Sequence, residues 1–421
     1  MNWRVLVSSR NSNTKDMELP ALQGIKVLDF GWALVGSLTG KHLADNGAEV
    51  IRVESSTRID LSRTNRMVKI SSGNNPDDKP WYTHLNTSKL GLALNLRKPQ
   101  AKSIVAKLIR WADVINENFT PGTLSKLGID YNFAKTIKPD IIMLSSSAYG
   151  QTGPMAYEWG VDGTGLAMSG YLDQTGWPDR TPVGANAPFS DVVLPYINAM
   201  AIVAALDYKR RTGKGQYIDT SMVEVCTHSN TPNLLDYQAN EHFRTRNGNR
   251  IDYASPHGAF PCKGDDRWCT IAVFNENEWQ AFCRVIGNPV WTKDTKFADM
   301  KSRKQNEDQM EKLISQWTLQ HTDYEVMHKM QAAGVPAGVV QTMADIVDGD
   351  PQLRGREFLL PVKNPELGIF GHPTPAYKLT KTRAKVQHAP SMGEHTEYIC
   401  INILGLSDEE FVGLVGQNVF E

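Results

Sequence analysis

Short apolar segments alternate with helical patterns in the first part of the chain, and this alternation restricts the possible folds more than any other feature. IKVLDF (25–30) is predicted to form a strand, residues 31–47 a helix, and AEVIRVE (48–54) a second strand. The same order returns with the strand LGLALNL (90–96) and the helix QAKSIVAKLIRWA (100–112). Repeated strand–helix–strand units predict a parallel sheet covered by helices, that is, an α/β fold.

Two further strand-then-loop segments, at 113–119 and 140–150, extend the predicted sheet. In open α/β sheets, ligands bind outside the carboxyl ends of the strands. We therefore expect a functional site at the loops 31–36, 118–122 and 145–153.

Glycine-rich signatures of nucleotide binding are not matched. Gly31, Gly36 and Gly40 do not fit GxGxxG, which argues against NAD binding. TGKGQ (212–216) resembles a phosphate loop, but Tyr208 stands where the Walker pattern needs its first glycine. Nucleotide hydrolysis is therefore not indicated.

The length of the chain, 421 residues, is too great for one compact core, so we expect two domains. Residues 1–18 are predicted to be a polar N-terminal extension, and residues 19–225 the first part of a large domain. The sequence then becomes polar and rich in Asn, His and Arg, which indicates a smaller domain at 226–335. We expect residues 336–421 to return to the large domain.

Charge and cysteine content exclude several classes of function. Lys and Arg (45) nearly balance Asp and Glu (46), so no overall field attracts nucleic acid or an anionic membrane. The five cysteines include no CxxC pair, and no two histidines flank a carboxylate at i, i+4, so neither disulfides nor a metal site is expected. No apolar run reaches the length of a membrane span. We expect a cytoplasmic protein without membrane or nucleic-acid partners.

Asp191 stands at the start of a long apolar helical run, FSDVVLPYINAMAIVAALDYKRRTGKG (189–215). Aspartate is among the best N-cap residues and contributes about 1 kcal/mol there, so the residues alone favour a capping role. A carboxylate with the ordinary pKa of about 3.9 is also ionised at pH 7 and able to act as a nucleophile. The cations that end the run, Lys209, Arg210 and Arg211, are interpreted as a solvated helix end rather than a phosphate site.

Five stretches span nearly the whole chain in a fixed order: GIKVLDFGWALVGSLTGKHLADNGAEVIRVE (24–54), ADVINENFTPGTLSKLGIDY (112–131), IIMLSSSAYGQTGP (141–154), SDVVLPYINAMAIVAALDYKRRTGKGQYIDTSMVE (190–224) and GEHT (393–396). Together they resemble the class III CoA-transferases, the family of formyl-CoA transferase, carnitine CoA-transferase and α-methylacyl-CoA racemase. The resemblance implies a Rossmann-like parallel-sheet large domain built from both chain ends and an inserted smaller α+β domain. It also implies a dimer whose two subunits interlink like rings.

The resemblance implies that Asp191 is the catalytic nucleophile. Its carboxylate would attack the donor's acyl-CoA thioester, giving a mixed anhydride and free CoA thiolate. The thiolate would then attack the aspartyl carbonyl and leave an aspartyl-CoA thioester, which the acceptor acid converts by the reverse exchange. One thioester is broken and one is made, so no cofactor or metal is expected, and the CoA thioesters are substrates.

The substrate and CoA contacts that the resemblance implies are Trp32, Ala33, Leu34, Val35, Asn118, Phe119, Lys126 and Tyr149. The first four follow the first strand. Asn118 and Phe119 match the Asn-Phe pair of the family pattern NFxPG, and Lys126 stands where an Arg often contacts phosphate. Tyr149 lies in the loop predicted at 145–153, where the strand-then-loop segment 140–150 ends. The residues alone are equally consistent with a loop Asn, a core Phe and a solvated Lys.

Four positions depart from the family pattern. Leu34 replaces a Gln that faces the active centre, and Ser55 replaces an Arg after the second strand, so neither contact carries over. Pro195 replaces a Gly four residues after the nucleophile, and we expect it in the first helical turn, where its missing N–H is not needed. Val161 replaces the His of the racemases, and an aliphatic side chain cannot exchange protons.

The absent Gln and Arg argue against formyl-CoA:oxalate exchange. The general pattern is similar to that of the succinyl-CoA-dependent benzylsuccinate CoA-transferases. Trp32, Arg63, Arg66 and Tyr82 are candidates for binding a phenyl-bearing diacid, although a core or solvated surface position is the better explanation of each. The expected partners are an acyl-CoA, a carboxylic acid, and a second subunit that is either another copy of this chain or a related one.

Two other functions are alternatives to CoA transfer. One is a 2-methylacyl-CoA racemase, which the loss of the racemase His makes unfavourable. The other is a non-catalytic subunit of a heteromeric CoA-transferase, which the presence of Asp191 argues against.

Overall fold

The computed structural model describes residues 19–64, 75–184 and 188–421, so the predicted extension at 1–18 and Arg66 lie outside the described residues. The chain separates into two compact units. The larger comprises the described parts of Met1–Tyr171, Ala185–Leu235 and Arg354–Glu421. The smaller comprises Leu172–Gly184 and Asp236–Leu353. The domain limits drawn from the sequence, at 225/226 and 335/336, stay a prediction.

Eleven strands are present in the described part of the chain. They are β1 (Lys26–Asp29), β2 (Glu49–Glu54), β3 (Leu90–Ala93), β4 (Val114–Glu117), β5 (Ile142–Ser147), β6 (Tyr217–Ser221), β7 (His257–Pro261), β8 (Trp268–Ala272), β9 (Ala337–Val339), β10 (Leu359–Asn364) and β11 (Gly368–Pro373). The first six form one parallel sheet in the order β3-β2-β1-β4-β5-β6, which confirms the predicted α/β fold. The order reverses between β1 and β4, where the carboxyl ends of the strands open a crevice.

The helices lie in the same described ranges. They are α1 (Val35–Asp45), α2 (Pro80–Leu85), α3 (Ala101–Trp111), α4 (Thr123–Leu127), α5 (Tyr131–Ile137), α6 (Asp162–Met168), α7 (Phe189–Thr212), α8 (Met222–Ser229), α9 (Thr231–Asn240), α10 (Glu276–Val285), α11 (Met300–Gln305), α12 (Glu307–Thr318), α13 (Asp323–Ala332), α14 (Pro351–Gly355), α15 (Thr396–Tyr398) and α16 (Asp408–Gly416). Short 3-10 or π turns lie at Leu61–Arg63, Leu172–Gln174, Val290–Lys293, Thr295–Phe297, Asp345–Gly349 and Ile399–Ile403.

Helices cover both faces of the parallel sheet. On one face, Ile104 and Leu108 of α3 are buried in a cluster with Leu28 of β1. On the other face, Leu43 of α1 and Ile202 of α7 are buried among apolar side chains of β1, β2, β4 and β5. The strands read as nearly continuous apolar runs because both of their faces are buried.

The C-terminal end of the chain completes the larger unit, which agrees with a large domain built from both chain ends. Val419 is fully buried in the same cluster as the strands. The GEHT segment covers β3, the edge strand. The His395 N–H donates to the Gly91 carbonyl, and the His395 ring Nδ1 accepts the Gly91 N–H at 3.2 Å. The Thr396 hydroxyl accepts the Ala93 N–H at 3.1 Å. These contacts satisfy an edge that would otherwise expose unpaired backbone groups.

The smaller unit contains a three-stranded antiparallel sheet in the order β7-β8-β9. Its core joins these strands to α10, α12 and α13 through buried side chains that include Trp279, Phe282, Ile314 and Val326. The predicted α+β character of this region is confirmed. Nothing in the structure tests the predicted interlinked dimer.

Helix α7 is long and apolar enough, by length and composition alone, to cross a membrane, with a mean hydropathy of 1.7 over its most apolar window. This is weak evidence, because helices in the core of globular proteins meet the same criterion. Its Ile202 and Ala205 are fully buried against the sheet.

Candidate functional site

The loop between β1 and α1 is not helical, although the sequence predicted a helix from residue 31. Helix α1 begins at Val35, and Ala33 has a φ of +52°, a left-handed conformation that is uncommon for a residue with a side chain. Such a conformation persists only where surrounding bonds enforce it. The bonds that do so come from Asn118 on one side and from Asp60 and Arg52 on the other.

Asn118 holds the backbone of Trp32 through both ends of its amide. Its Oδ1 accepts the Trp32 N–H at 2.7 Å, and its Nδ2 donates to the Trp32 carbonyl at 3.0 Å. The side chain predicted to contact CoA therefore fixes the loop that carries the predicted contacts.

Arg52 and Asp60 hold the next residues of this loop. The Arg52 guanidinium donates to the Gly31 carbonyl at 2.6 Å and to Asp60 at 2.7 Å, and the second contact is an ion pair in which both side chains are buried. The same Asp60 oxygen accepts the Ala33 N–H at 3.0 Å. The loop is therefore preorganised before any ligand binds.

A cavity of about 280 Å³ opens at the carboxyl ends of β1, β2 and β4. Its lining residues are Phe30, Gly31, Trp32, Arg52, Val53, Glu54, Ser55, Thr57, Arg58, Leu94, Asn95, Leu96, Arg97, Phe119, Thr123, Lys126 and Leu127. Three of the predicted contacts, Trp32, Phe119 and Lys126, thus lie around one cavity.

The walls of this cavity combine aromatic rings with cations. Trp32 and Phe119 pack edge to face with ring centroids 6.3 Å apart, and the Arg58 guanidinium lies 4.6 Å from the Trp32 ring centroid. Arg97 and Lys126 add two more positive charges. Flat apolar surfaces beside guanidinium and ammonium groups suit a ligand that has a planar base and phosphates. We did not predict Arg58, although it follows Ser55 by three residues and supplies a cation where the family Arg is missing.

The remaining predicted contacts do not line this cavity. Leu34 is buried against α1 and α2, and Val35 is buried against Leu194 of α7 and Met222 of α8. Tyr149 lies beside Gly160, in the segment before α6. The contact between Val35 and Leu194 nevertheless places the start of α1 against the first turns of α7, the helix that carries Asp191.

Asp191 occupies the first turn of α7, but it does not cap the helix. Phe189 is the first helical residue, Pro188 precedes it, and no N-cap side-chain bond is made by Pro188. Asp162 performs the capping: its Oδ1 accepts the backbone N–H groups of Ser190 at 2.7 Å and Asp191 at 3.4 Å. The capping interpretation of Asp191 is therefore wrong. Asp162 was not predicted as a functional residue, and its only signal in the sequence was its place beside Val161 in WGVD.

The Asp191 carboxylate is partly exposed and accepts no hydrogen bond from residues 19–64, 75–184 or 188–421. Burial, and secondly the nearby Asp162 charge, raise the pKa of Asp191 to about 7. The ordinary aspartate pKa assumed from the sequence is therefore wrong. An unpaired carboxylate of raised pKa is more basic than a free aspartate, which favours nucleophilic attack once it is ionised.

Pro195 lies inside α7 and not in its first turn, so the predicted reason for its tolerance is wrong. Proline has no N–H, and the helical partner of that group would be the carbonyl of residue i−4, which is Asp191. The Asp191 carbonyl consequently loses its usual helical bond from position 195.

Several residues considered for substrate binding have other partners. Arg63 is buried with its guanidinium 3.4 Å from the Tyr82 ring centroid and paired with Glu54 at 2.7 Å. Arg210 and Arg211 pair with Asp207 at the exposed end of α7. In the described ranges, no group of three or more His, Cys, Asp or Glu side chains is arranged to hold a metal ion.

Comparisons with known proteins identify the family of the chain. Residues 22–396 match the model of CoA-transferase family III. The succinyl-CoA–D-citramalate CoA-transferase of Chloroflexus aurantiacus is 29% identical over 94% of this chain and 98% of its own length. The human succinyl-CoA:glutarate CoA-transferase is 27% identical over 95% of this chain and 90% of its own length.

Solved structures give the same result for the fold. A CAIB/BAIF family protein from Brucella suis superimposes with a TM-score of 0.84 at 28% identity, over 92% of this chain and 100% of that one. Since the family model covers most of the sequence and the fold agrees, the chain belongs to CoA-transferase family III and is a CoA-transferase.

Proposed function

We propose that the chain transfers CoA from succinyl-CoA to a small dicarboxylate through a covalent intermediate on Asp191. The observation that carries this proposal is the Asp191 carboxylate in the first turn of α7, which is partly exposed and has no hydrogen-bond donor among the described residues. Helix α7 packs against the start of α1. The α1 loop in turn forms one wall of the cavity around Trp32.

The proposed reaction conserves the thioester bond. An oxygen of the Asp191 carboxylate attacks the thioester carbonyl of succinyl-CoA, the C–S bond breaks, and CoA leaves as a thiolate. The thiolate attacks the aspartyl carbonyl, which releases succinate and forms an aspartyl-CoA thioester. The acceptor carboxylate then repeats both steps in reverse and leaves as its CoA thioester, while Asp191 returns to a carboxylate. The CoA thioesters are substrates, and the proposed reaction uses no cofactor or metal.

The cavity is proposed to hold the nucleotide end of CoA. The adenine would lie against Trp32 and Phe119, and Arg58, Arg97 and Lys126 would neutralise the phosphates. Asn118 takes no direct part in this arrangement, because both ends of its amide bond to the Trp32 backbone.

The names of relatives support a dicarboxylate acceptor. Citramalate and glutarate appear with succinyl-CoA in the names of two of them. The benzylsuccinate prediction gains no support from Arg63 and Tyr82, which are buried against each other. Benzylsuccinate is therefore one of several acceptors to be compared in the experiment described below.

The proposed assembly contains two subunits, either two copies of this chain or this chain with a related one. The second possibility has a specific precedent in a relative, 28% identical over 94% of this chain, named as the beta subunit of a succinyl-CoA–L-malate CoA-transferase. Activity of the purified chain alone would favour the first possibility.

The deciding experiment incubates the purified chain with succinyl-CoA and one acceptor at a time, and mass spectrometry identifies the CoA thioesters formed. The acceptors are glutarate, citramalate, malate, oxalate and benzylsuccinate. Formation of a dicarboxylyl-CoA and succinate in equal amounts supports the proposal. Transfer that an Asp191→Asn variant retains would overturn the covalent route, and epimerisation of a 2-methylacyl-CoA without transfer would favour a racemase.

A further inference from the structure

Glu117 ends strand β4, directly before the Asn118–Phe119 pair, and its side chain is almost fully buried. Its Oε2 accepts the backbone N–H of Phe119 at 2.8 Å. Ser145 is the register partner of Glu117 on the neighbouring strand β5, and it partly opposes the effect of burial on the pKa of Glu117. The carboxylate thus joins the end of the central sheet to the loop that carries Phe119.

The Phe119 ring is one wall of the cavity proposed for CoA, and its edge-to-face partner is Trp32. The backbone around this wall is held at two points. Asn118 fixes the Trp32 backbone, and Glu117 fixes the Phe119 backbone. Loss of the Glu117 bond would free the Phe119 backbone while leaving the Asn118 bonds in place.

Glu117 also faces a second, polar cavity of about 240 Å³, and Thr123 lines both cavities. The titratable groups that share the second cavity with Glu117 are Asp130, Tyr131 and Tyr217. No Lys, Arg or His is among its described lining residues, so a negative charge on Glu117 has no cation beside it. Burial accordingly raises the pKa of Glu117 to about 7.

We propose that Glu117 is a positioning residue for CoA, whose carboxylate holds the Phe119 backbone so that the Phe119 and Trp32 rings form a fixed wall for the nucleotide. This inference rests on the proposed binding of CoA in that cavity. Glu117 acts only through Phe119, and it takes no part in the transfer chemistry.

A carboxylate accepts a hydrogen bond about twice as strongly as a neutral carboxyl group. Protonation of Glu117 therefore weakens its hold on Phe119, and CoA binding should weaken as the pH falls through about 7. Asp130 stays ionised and Tyr217 stays neutral over that range, because hydrogen bonds lower the pKa of Asp130 and burial raises that of Tyr217.

The test measures CoA binding to the full-length chain by calorimetry at pH 6 and pH 8, together with kcat and KM for succinyl-CoA. At pH 8, Glu117→Ala should weaken CoA binding and raise KM about tenfold, while kcat stays within about twofold of wild type. Glu117→Gln retains an acceptor oxygen and should restore most of the affinity. It should also remove the loss of about fivefold expected for the wild type between pH 8 and pH 6.

Tyr217→Phe is the matched control, since it removes a hydroxyl from the same cavity without touching Phe119. Its CoA affinity should equal that of the wild type. Wild-type affinity in Glu117→Ala, or an equal loss in Tyr217→Phe, would overturn the inference. If Glu117→Ala fails to fold, Glu117→Gln provides the test. A loss of CoA affinity between pH 8 and pH 6 as large in Glu117→Gln as in the wild type would contradict the inference. Calorimetry requires no turnover, so a wild type that binds CoA but transfers nothing refutes the proposed reaction alone.

Discussion

Asp162 caps the helix that carries Asp191, and the two carboxylates are close enough for the charge of one to affect the other. The Asp162 Oδ1 accepts the Ser190 N–H at 2.7 Å, and its charge adds to burial in raising the pKa of Asp191 to about 7. One residue thus fixes the start of the helix and makes the proposed nucleophile more basic. The first three predictions test this arrangement, and the fourth tests the cavity proposed for CoA.

Replacement of Asp191 by Asn should lower the rate of CoA transfer by about 10³-fold or more, because an amide cannot form the mixed anhydride. The protein should remain folded, since Asp191 is not the helix cap. Hydroxylamine treatment of the wild type after incubation with succinyl-CoA should convert Asp191 to a hydroxamate that peptide mass spectrometry detects. An unmodified Asp191 peptide would contradict the covalent route.

The same substitution should change how stability depends on pH. The pKa of Asp191 is about 7 in the folded chain and near its ordinary value when unfolded, so the unfolded state ionises first as the pH rises. The wild type therefore loses stability between about pH 4 and pH 7, and Asp191→Asn should lose less over that interval. Urea unfolding at pH 5 and pH 8 measures the difference, and parallel pH dependences would show that the Asp191 pKa is not raised.

Asp162→Asn should move the pH dependence of transfer to lower pH. Asparagine keeps an oxygen that can accept the Ser190 N–H, but it removes the charge that helps to raise the pKa of Asp191. Burial is the larger cause, so the rising limb of kcat against pH should shift only partly toward the ordinary aspartate value. An unchanged limb would mean that Asp162 acts on Asp191 through helix capping alone.

Arg58→Ala should raise KM for succinyl-CoA about tenfold with little change in kcat, because it removes the cation that lies 4.6 Å from the Trp32 ring. Arg210→Ala is a suitable control, since Arg210 lies at the exposed end of α7 and pairs with Asp207. Steady-state kinetics of both variants test whether this cavity binds CoA. Equal KM values for the two variants would show that CoA binds outside this cavity.

The sheet and the order of its helices followed from periodicity, because strands buried on both faces must be apolar and their covering helices amphipathic. The position of Asp191 within its helix could not be predicted from the sequence. Propensity favours aspartate as a cap, whereas the cap is supplied by Asp162, 29 positions earlier, and only the folded chain brings the two together. Arg58 was missed for a similar reason, since its importance depends on the position of Trp32 across the cavity.

The GEHT segment gives a prediction about stability alone. The Thr396 hydroxyl accepts the Ala93 N–H at 3.1 Å, and both residues are buried at the edge of the sheet. Thr396→Val keeps the shape of the side chain but leaves that N–H unpaired, which should cost about 1–3 kcal/mol of unfolding free energy. Thr396→Ser keeps the hydroxyl and should cost less, as measured by urea unfolding of both variants. Equal losses would mean that the methyl group, rather than the hydrogen bond, secures the C-terminal segment to β3.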